Sequence, residues 1–264
     1  MDSNIQPTTD DETVGEVLEV QHTENAPLLS HGENGTTQVG YDRPSCKLSS
    51  LLEAHRRPHR ASGMKLVAEI AIVFWFVTVL FVVLTQRLEL FTLHPIFQSL
   101  AILLFYQGIL ILQPTQTATE KRTGLFVHET FQILGFVSIL AGGMVIFLVK
   151  ISHHAKHFTS WHGKLGLITA LLLLFQALVG GFVGFETIRD SKLVGESRAR
   201  SLWKYHRASG YLVIVFLTLT VLSATKTDWL LGATDAVLIW ILRITPIVSI
   251  IGLFSLINFK KIFG

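Results

Sequence analysis

Apolar positions fall in six long blocks, set behind a polar arm and separated by short polar stretches. The blocks run from Leu66 to Leu84, His94 to Leu112, Leu125 to Val149, His162 to Phe185, His206 to Ala224, and Leu231 to about Ile257. Each meets or approaches the roughly 20 residues that a helix needs to cross about 30 Å of hydrocarbon. A membrane β-barrel would instead show alternating segments of about ten residues. The pattern predicts an all-α membrane protein, a six-transmembrane antiparallel helical bundle whose short connections leave no room for a soluble globular domain.

Residues 1–64 differ in kind from the expected membrane domain, 65–261. They are rich in Asp, Glu, Thr, Asn, Gly and Pro and close with the basic run His55-Arg56-Arg57-Pro58-His59-Arg60. Such a composition cannot bury enough surface to offset its ordering entropy, so a disordered arm is expected. No apolar stretch follows Met1, as a secretory signal would require. Inside the arm, Glu24-Asn25-Ala26-Pro27-Leu28-Leu29 places an acid four residues before a leucine pair. That is the form of an acidic dileucine sorting signal, and it points to an endomembrane: endoplasmic reticulum, vesicle, endosome or lysosome.

Composition agrees with the block pattern. Half of the 264 residues, 50%, are hydrophobic and 16% are charged, against about 25% charged in a soluble domain. The single Cys46 excludes a disulfide framework. A net charge of +3 does not call for a nucleic-acid partner, because basic residues beside apolar spans act as orientation charges. With the arm in the cytoplasm, that side holds Arg56, Arg57, Arg60, Lys65, Lys121, Arg122, Arg189, Lys192, Arg198, Arg200, Lys204, Arg207, Lys260 and Lys261. The opposite side holds Arg87, Lys150, Lys156, Lys164 and Lys226. The positive-inside rule then places both termini in the cytoplasm.

Candidate chemistry lies in the histidines. His94, His128, His162 and His206 open four consecutive blocks, and no other histidine falls inside one. Antiparallel threading puts His94 and His162 near the non-cytoplasmic face and His128 and His206 near the cytoplasmic face. Two imidazoles on facing helices suit the two axial positions of a haem iron. Zinc is the competing metal, but it asks for three or four ligands, and Glu129 points about 100° away from His128 on a helix. A proton relay is the competing use, although it would more often draw some histidines to the midplane. Glycines in the spans serve helix packing, and Gly163 and Gly166, beside His162, are the ones expected to make room for a cofactor. His153, His154 and His157 form a loop cluster with the composition of a metal site or of an ordinary polar loop.

Three strings, Thr92-Leu93-His94-Pro95, Trp161-His162-Gly163-Lys164-Leu165-Gly166 and Tyr205-His206-Arg207-Ala208-Ser209-Gly210, resemble those of the cytochrome b561 family. Together with the six spans and four histidines they are most similar to its short intracellular members, the transmembrane reductases. The resemblance covers roughly Lys65 to Lys261. It implies two haems b, one ligated by His94 and His162 and the other by His128 and His206. It implies electron transfer from cytoplasmic ascorbate to monodehydroascorbate radical or ferric iron on the far side, and it allows a homodimer.

Ascorbate is a monoanion at neutral pH, so a basic mouth of Lys121, Arg122, Lys204 and Arg207 would concentrate it. Lys156 and Lys164 are the counterparts for the anionic radical on the other face. Glu69 and Arg243 lie within apolar blocks, where an unpaired charge is expensive. A proton-coupled secondary transporter with histidine relays is the rival function. It would call for broken helices and a midplane site, and Pro246 is the only proline deep in a block.

Overall fold

The computed structural model describes residues 62–113, 115, 118–184 and 196–257. The arm with its dileucine-like hexapeptide, Cys46, Arg189, Lys192, Lys260 and Lys261 lie outside the described residues. The helices are α1 (Ser62–Leu84), α2 (Leu93–Leu112, entered through a 3-10 turn at Leu90–Thr92) and α3 (Ala118–Ser152). They continue with α4 (Trp161–Gly184), α5 (Glu196–Ala224), a short α6 (Asp228–Ala233) and α7 (Ala236–Phe254). All but α6 are long and apolar enough to cross a membrane. The chain is an all-α, six-span membrane bundle. Helices satisfy every backbone polar group internally, which lipid demands because it offers no partner.

Consecutive spans alternate in sense, so the bundle has an arm end, where α1, α3 and α5 begin, and a far end, where α2, α4 and α7 begin. Local chemistry sets several boundaries. Pro95 occupies the first turn of α2, where its missing N–H costs nothing. Asp235 caps α7 by accepting the Leu238 N–H at 2.9 Å.

The boundaries differ from the block pattern in two ways. The sixth block is not one helix from Leu231: the chain forms α6, breaks at Thr234-Asp235 and restarts at Ala236. The Asp235 carboxylate competes for the backbone there and turns an apolar run into a helix start. The second difference concerns α3 and α5, which begin well before their apolar blocks. His128 and His206 are each the eleventh residue of their helices (118 to 128, 196 to 206), whereas His94 and His162 are each the second. Ala, Glu, Lys and Arg propagate a helix as readily as apolar residues do, so the start of an apolar block is not the start of a helix.

Packing divides the bundle. The closest backbone approaches are α2 with α3, α1 with α7, and α4 with α5, while α3 meets α4 at only a few positions. The core lies on the α1–α2–α5–α7 side, around Ala68, Ile72, Trp75, Phe105, Tyr106, Ile214, Leu217, Leu242 and Leu253. The outward faces of α3 and α4 carry exposed side chains such as Val137, Leu140, Leu171, Phe175 and Leu178, as lipid-facing surfaces do. α1 and α7 touch through small residues. A Cβ added at Gly252 would lie 3.0 Å from the Ala68 Cβ, and the Ser249 hydroxyl donates to the Ala68 carbonyl at 3.1 Å. In lipid, such close contact replaces the hydrophobic effect as the force between helices.

The charges inside the spans are partnered. Lys65 and Glu69 pair at 3.4 Å one turn apart on α1. The Arg243 guanidinium donates to the Thr225 hydroxyl at 2.9 Å and lies 5.5 Å from the Trp240 ring centre. It thereby ties α7 to the end of α5.

Gly252→Val should destabilise the bundle by about 1–3 kcal/mol through overpacking, whereas Gly143→Ala, facing open space, should change it by less than about 0.5 kcal/mol. Denaturant unfolding of the detergent-solubilised protein measures both, and equal effects would refute the α1–α7 contact.

Candidate functional site

Each hairpin of the bundle, α2–α3 and α4–α5, contributes one histidine to each membrane face. The His94 and His162 rings lie 6.2 Å apart, centre to centre, and the His128 and His206 rings 6.5 Å apart. A metal–imidazole bond is about 2 Å and a ring nitrogen lies about 1.2 Å from its ring centre, so two imidazoles in line through one ion put their centres about 6.4 Å apart. Both pairs have that spacing, and both span the seam between hairpins. Among the described residues no three His, Cys, Asp or Glu side chains converge as a metal site.

Three of the rings are held by the main chain. His94 Nδ1 lies 2.8 Å from the Gly142 carbonyl, His128 Nδ1 3.1 Å from that of Gly108, and His162 Nδ1 3.1 Å from that of Thr220. A carbonyl can only accept, so the Nδ1 proton is fixed and Nε2 keeps its lone pair. His206 is different. Its Nδ1 lies 3.1 Å from Gln176 Nε2, the same amide nitrogen that donates to the His206 carbonyl at 2.7 Å.

These partners expose a regularity that the sequence reading missed. In α2 and α3, His94-x-x-Phe97-Gln98-x-Leu100 and His128-x-x-Phe131-Gln132-x-Leu134 repeat, and each is completed by a glycine fourteen residues beyond its histidine, Gly108 or Gly142. The two helices use the repeat reciprocally. Each histidine bonds the other helix's glycine carbonyl. Gln98 Nε2 donates to the Ile139 carbonyl and Gln132 Nε2 to that of Phe105, both at 3.2 Å. In α4 and α5 the same two offsets carry Gly166 with Gln176, and Gly210 with Thr220. Fourteen residues at about 1.5 Å each set the two histidine levels about 21 Å apart. Comparing the four histidine-led blocks with one another would have found this without a structure.

The glycines expected to make room beside His162 are not crowded by side chains. Gly163 approaches the Phe158 backbone, and Gly166 is in ordinary contact with Thr220 at 3.8 Å. Gly108, Gly135, Gly142 and Gly180 carry the close approaches. A Cβ at Gly142 would lie 2.7 Å from Gln98 Nε2, and one at Gly180 would lie 2.9 Å from His206 Cε1.

The remaining expected residues are dispersed around the pairs. Lys121 sits two turns before His128 on the same face of α3. Lys204 and Arg207 flank His206, with the Lys204 ammonium 5.4 Å from the Tyr205 ring centre. Arg122 is exposed on α3. At the far end Lys164 is exposed and lies 5.3 Å from the Trp161 ring centre. Lys156 is exposed in the α3–α4 loop, where its carbonyl accepts from Lys150 Nζ at 2.8 Å. His153, His154 and His157 do not converge on a metal site, and the His157 ring lies tilted against Phe147 with centres 5.0 Å apart. The structure adds a far-end cleft of about 440 Å³ lined by Gln86, Arg87, Glu89, Phe91, Thr92 and Trp229. Phe91 lies 6.2 Å from the His94 ring and 5.1 Å from Trp229.

The sequence profile of eukaryotic cytochrome b561 matches residues 93–231, the stretch that holds both histidine pairs. This chain belongs to the cytochrome b561 family. It is similar to the probable transmembrane reductase CYB561D1 of Mus musculus, 28% identical over 145 residues, 53% of this chain and 61% of that protein. It is also similar to the transmembrane reductase CYB561D2 of Bos taurus, 23% identical over 165 residues, 61% of this chain and 72% of that protein. The match therefore spans about three fifths of the mouse relative's length. Family membership supports an electron-transfer, oxidoreductase-type role for this cytochrome b561 core.

Because the α2–α3 repeat is reciprocal, Gln98→Leu and Gln132→Leu should each cost about 0.5–1.5 kcal/mol and agree within about 0.5 kcal/mol. Denaturant unfolding reads both, and a cost confined to one glutamine would refute the equivalence.

Proposed function

We propose that the chain carries single electrons across an endomembrane through two haems b, one held by His94 and His162 and the other by His128 and His206. The observation that carries this reading is the pair of imidazole couples, each spaced for one ion in line and bridging the seam between two hairpins. Haem, when bound, would supply a one-electron couple whose potential the ligating histidines and their surroundings would tune. The chain's own part is to bring four imidazoles together in two pairs, to fix three tautomers with main-chain carbonyls and to surround them with an apolar bundle. Spans α2 to α5 run unbroken between the two histidine levels, which favours this over a transporter with a broken-helix midplane site.

Orientation follows from the charges. The arm end carries the larger share of Lys and Arg, so the positive-inside rule places both termini and the His128–His206 pair on the cytoplasmic side. Cytoplasmic ascorbate is the donor, attracted by Lys121, Arg122, Lys204 and Arg207. The acceptor at the far end is monodehydroascorbate radical or ferric iron, approaching near Lys156 and Lys164. The names of the two relatives, a probable transmembrane reductase and a transmembrane reductase, support a reductase role.

The purified protein should show two haems b per chain whose absorption shifts to the reduced spectrum on adding ascorbate; a colourless protein would refute the reading. His162→Ala should lose one haem and keep the other, and an unchanged haem count would refute the pairing. Lys121→Gln with Arg122→Gln should raise the KM for ascorbate about threefold to tenfold, an effect that shrinks as salt screens the attraction. A KM equal to wild type at low salt would remove these two residues from the donor site.

A further inference from the structure

We propose that Gln176 is a positioning residue for His206, and that its side-chain amide must turn over for His206 to offer Nε2 to a metal. The inference rests on the two-haem reading and concerns only what this side chain does for that ligand.

The position is singular within the fourfold pattern. At the offset where the other helices present a main-chain carbonyl to the facing histidine, α4 presents the side chain of Gln176. The amide is clamped at both ends. Its nitrogen donates to the His206 carbonyl at 2.7 Å and lies 3.1 Å from His206 Nδ1, while Ser209 Oγ donates to its oxygen at 2.7 Å. Gly180 and Gly210 leave the space. A Cβ at Gly210 would lie 3.0 Å from Gln176 Nε2, so the amide fills the volume a larger residue would take.

The direction of these bonds has a chemical consequence. An amide nitrogen has protons to give and no lone pair to offer. Facing Nδ1, it leaves the proton of a neutral His206 on Nε2. Ligation through Nε2 requires that proton on Nδ1, with an acceptor beyond it, as the other three histidines have. A half-turn of the Gln176 amide supplies the acceptor by exchanging its oxygen for its nitrogen. Ser209 can follow the turn: its hydroxyl also lies 2.8 Å from the Tyr205 carbonyl, so it can donate there and accept from the turned amide. The turn gives up the 2.7 Å bond to the His206 carbonyl, a cost that the His94–His162 pair does not bear. The His128–His206 pair is therefore the later and weaker of the two to load.

Three measurements test this: stepwise haem titration of the apoprotein, the two midpoint potentials, and both repeated in variants. Gln176→Glu offers an oxygen in either orientation. It should tighten the second haem at least tenfold and lower its potential by the tenfold equivalent, about 59 mV for one electron, because a carboxylate beyond Nδ1 increases the ring's donation. Gln176→Leu should weaken the second haem at least tenfold and leave the first unchanged. Ser209→Ala, which only loosens the clamp, should shift the second potential and not the first, and it serves where the Leu variant does not fold. Two haems that load with equal affinity, with both potentials the same in wild type, Gln176→Glu and Ser209→Ala, would overturn the proposal while leaving the two-haem reading intact. A wild-type protein that binds no haem would overturn that reading instead.

Discussion

The structure depends on the bond between a histidine Nδ1 and a carbonyl fourteen residues along the neighbouring antiparallel helix. It orients an imidazole, since a carbonyl admits only the Nδ1–H tautomer. It also sets the register of the hairpin, since a slip by one residue would carry the acceptor about 100° round its helix. In α2 and α3 the bond is made twice, once at each end, and the two glutamines repeat it four residues further in. The glycines follow from it: the helices must approach closely enough for ring and carbonyl to meet, and a Cβ at Gly142 would collide with Gln98.

The helices without histidines act on this arrangement from one side. α1 and α7 pack against each other through Ala68, Ser249 and Gly252 and cover the α2–α5 flank with the bundle's core. Arg243 ties α7 to Thr225 at the end of α5, at the face where His162 bonds to Thr220. The seam between the hairpins is left as the place where backbones approach least.

Much of this was legible in the sequence. Six spans and four histidines follow from apolar runs and antiparallel threading, because the length of an apolar block and the alternation of a membrane chain are strong constraints. Helix ends were less legible. α3 and α5 continue through charged sequence, so hydropathy marks where the chain meets lipid and says nothing of where its helix begins. Asp235 breaks an apolar run that reads as continuous, a capping effect of one carboxylate. The partner of Arg243 was hidden because it is a hydroxyl with no charge to announce it. Gln98, Gln132 and Gln176 were passed over because a lone amide in an apolar block draws less notice than a histidine, although their offsets from the histidines were countable.

The reciprocal repeat in α2 and α3 has one more implication. A hairpin that maps onto itself when turned end over end presents the same chemistry to both sides of the membrane. A conductor of that kind has no built-in sense of flow and would pass charge equally well either way. What breaks the symmetry then tells the two mouths apart: the uneven basic rims, the aromatic cleft at the far end, and the single amide that stands where a carbonyl would complete the pattern.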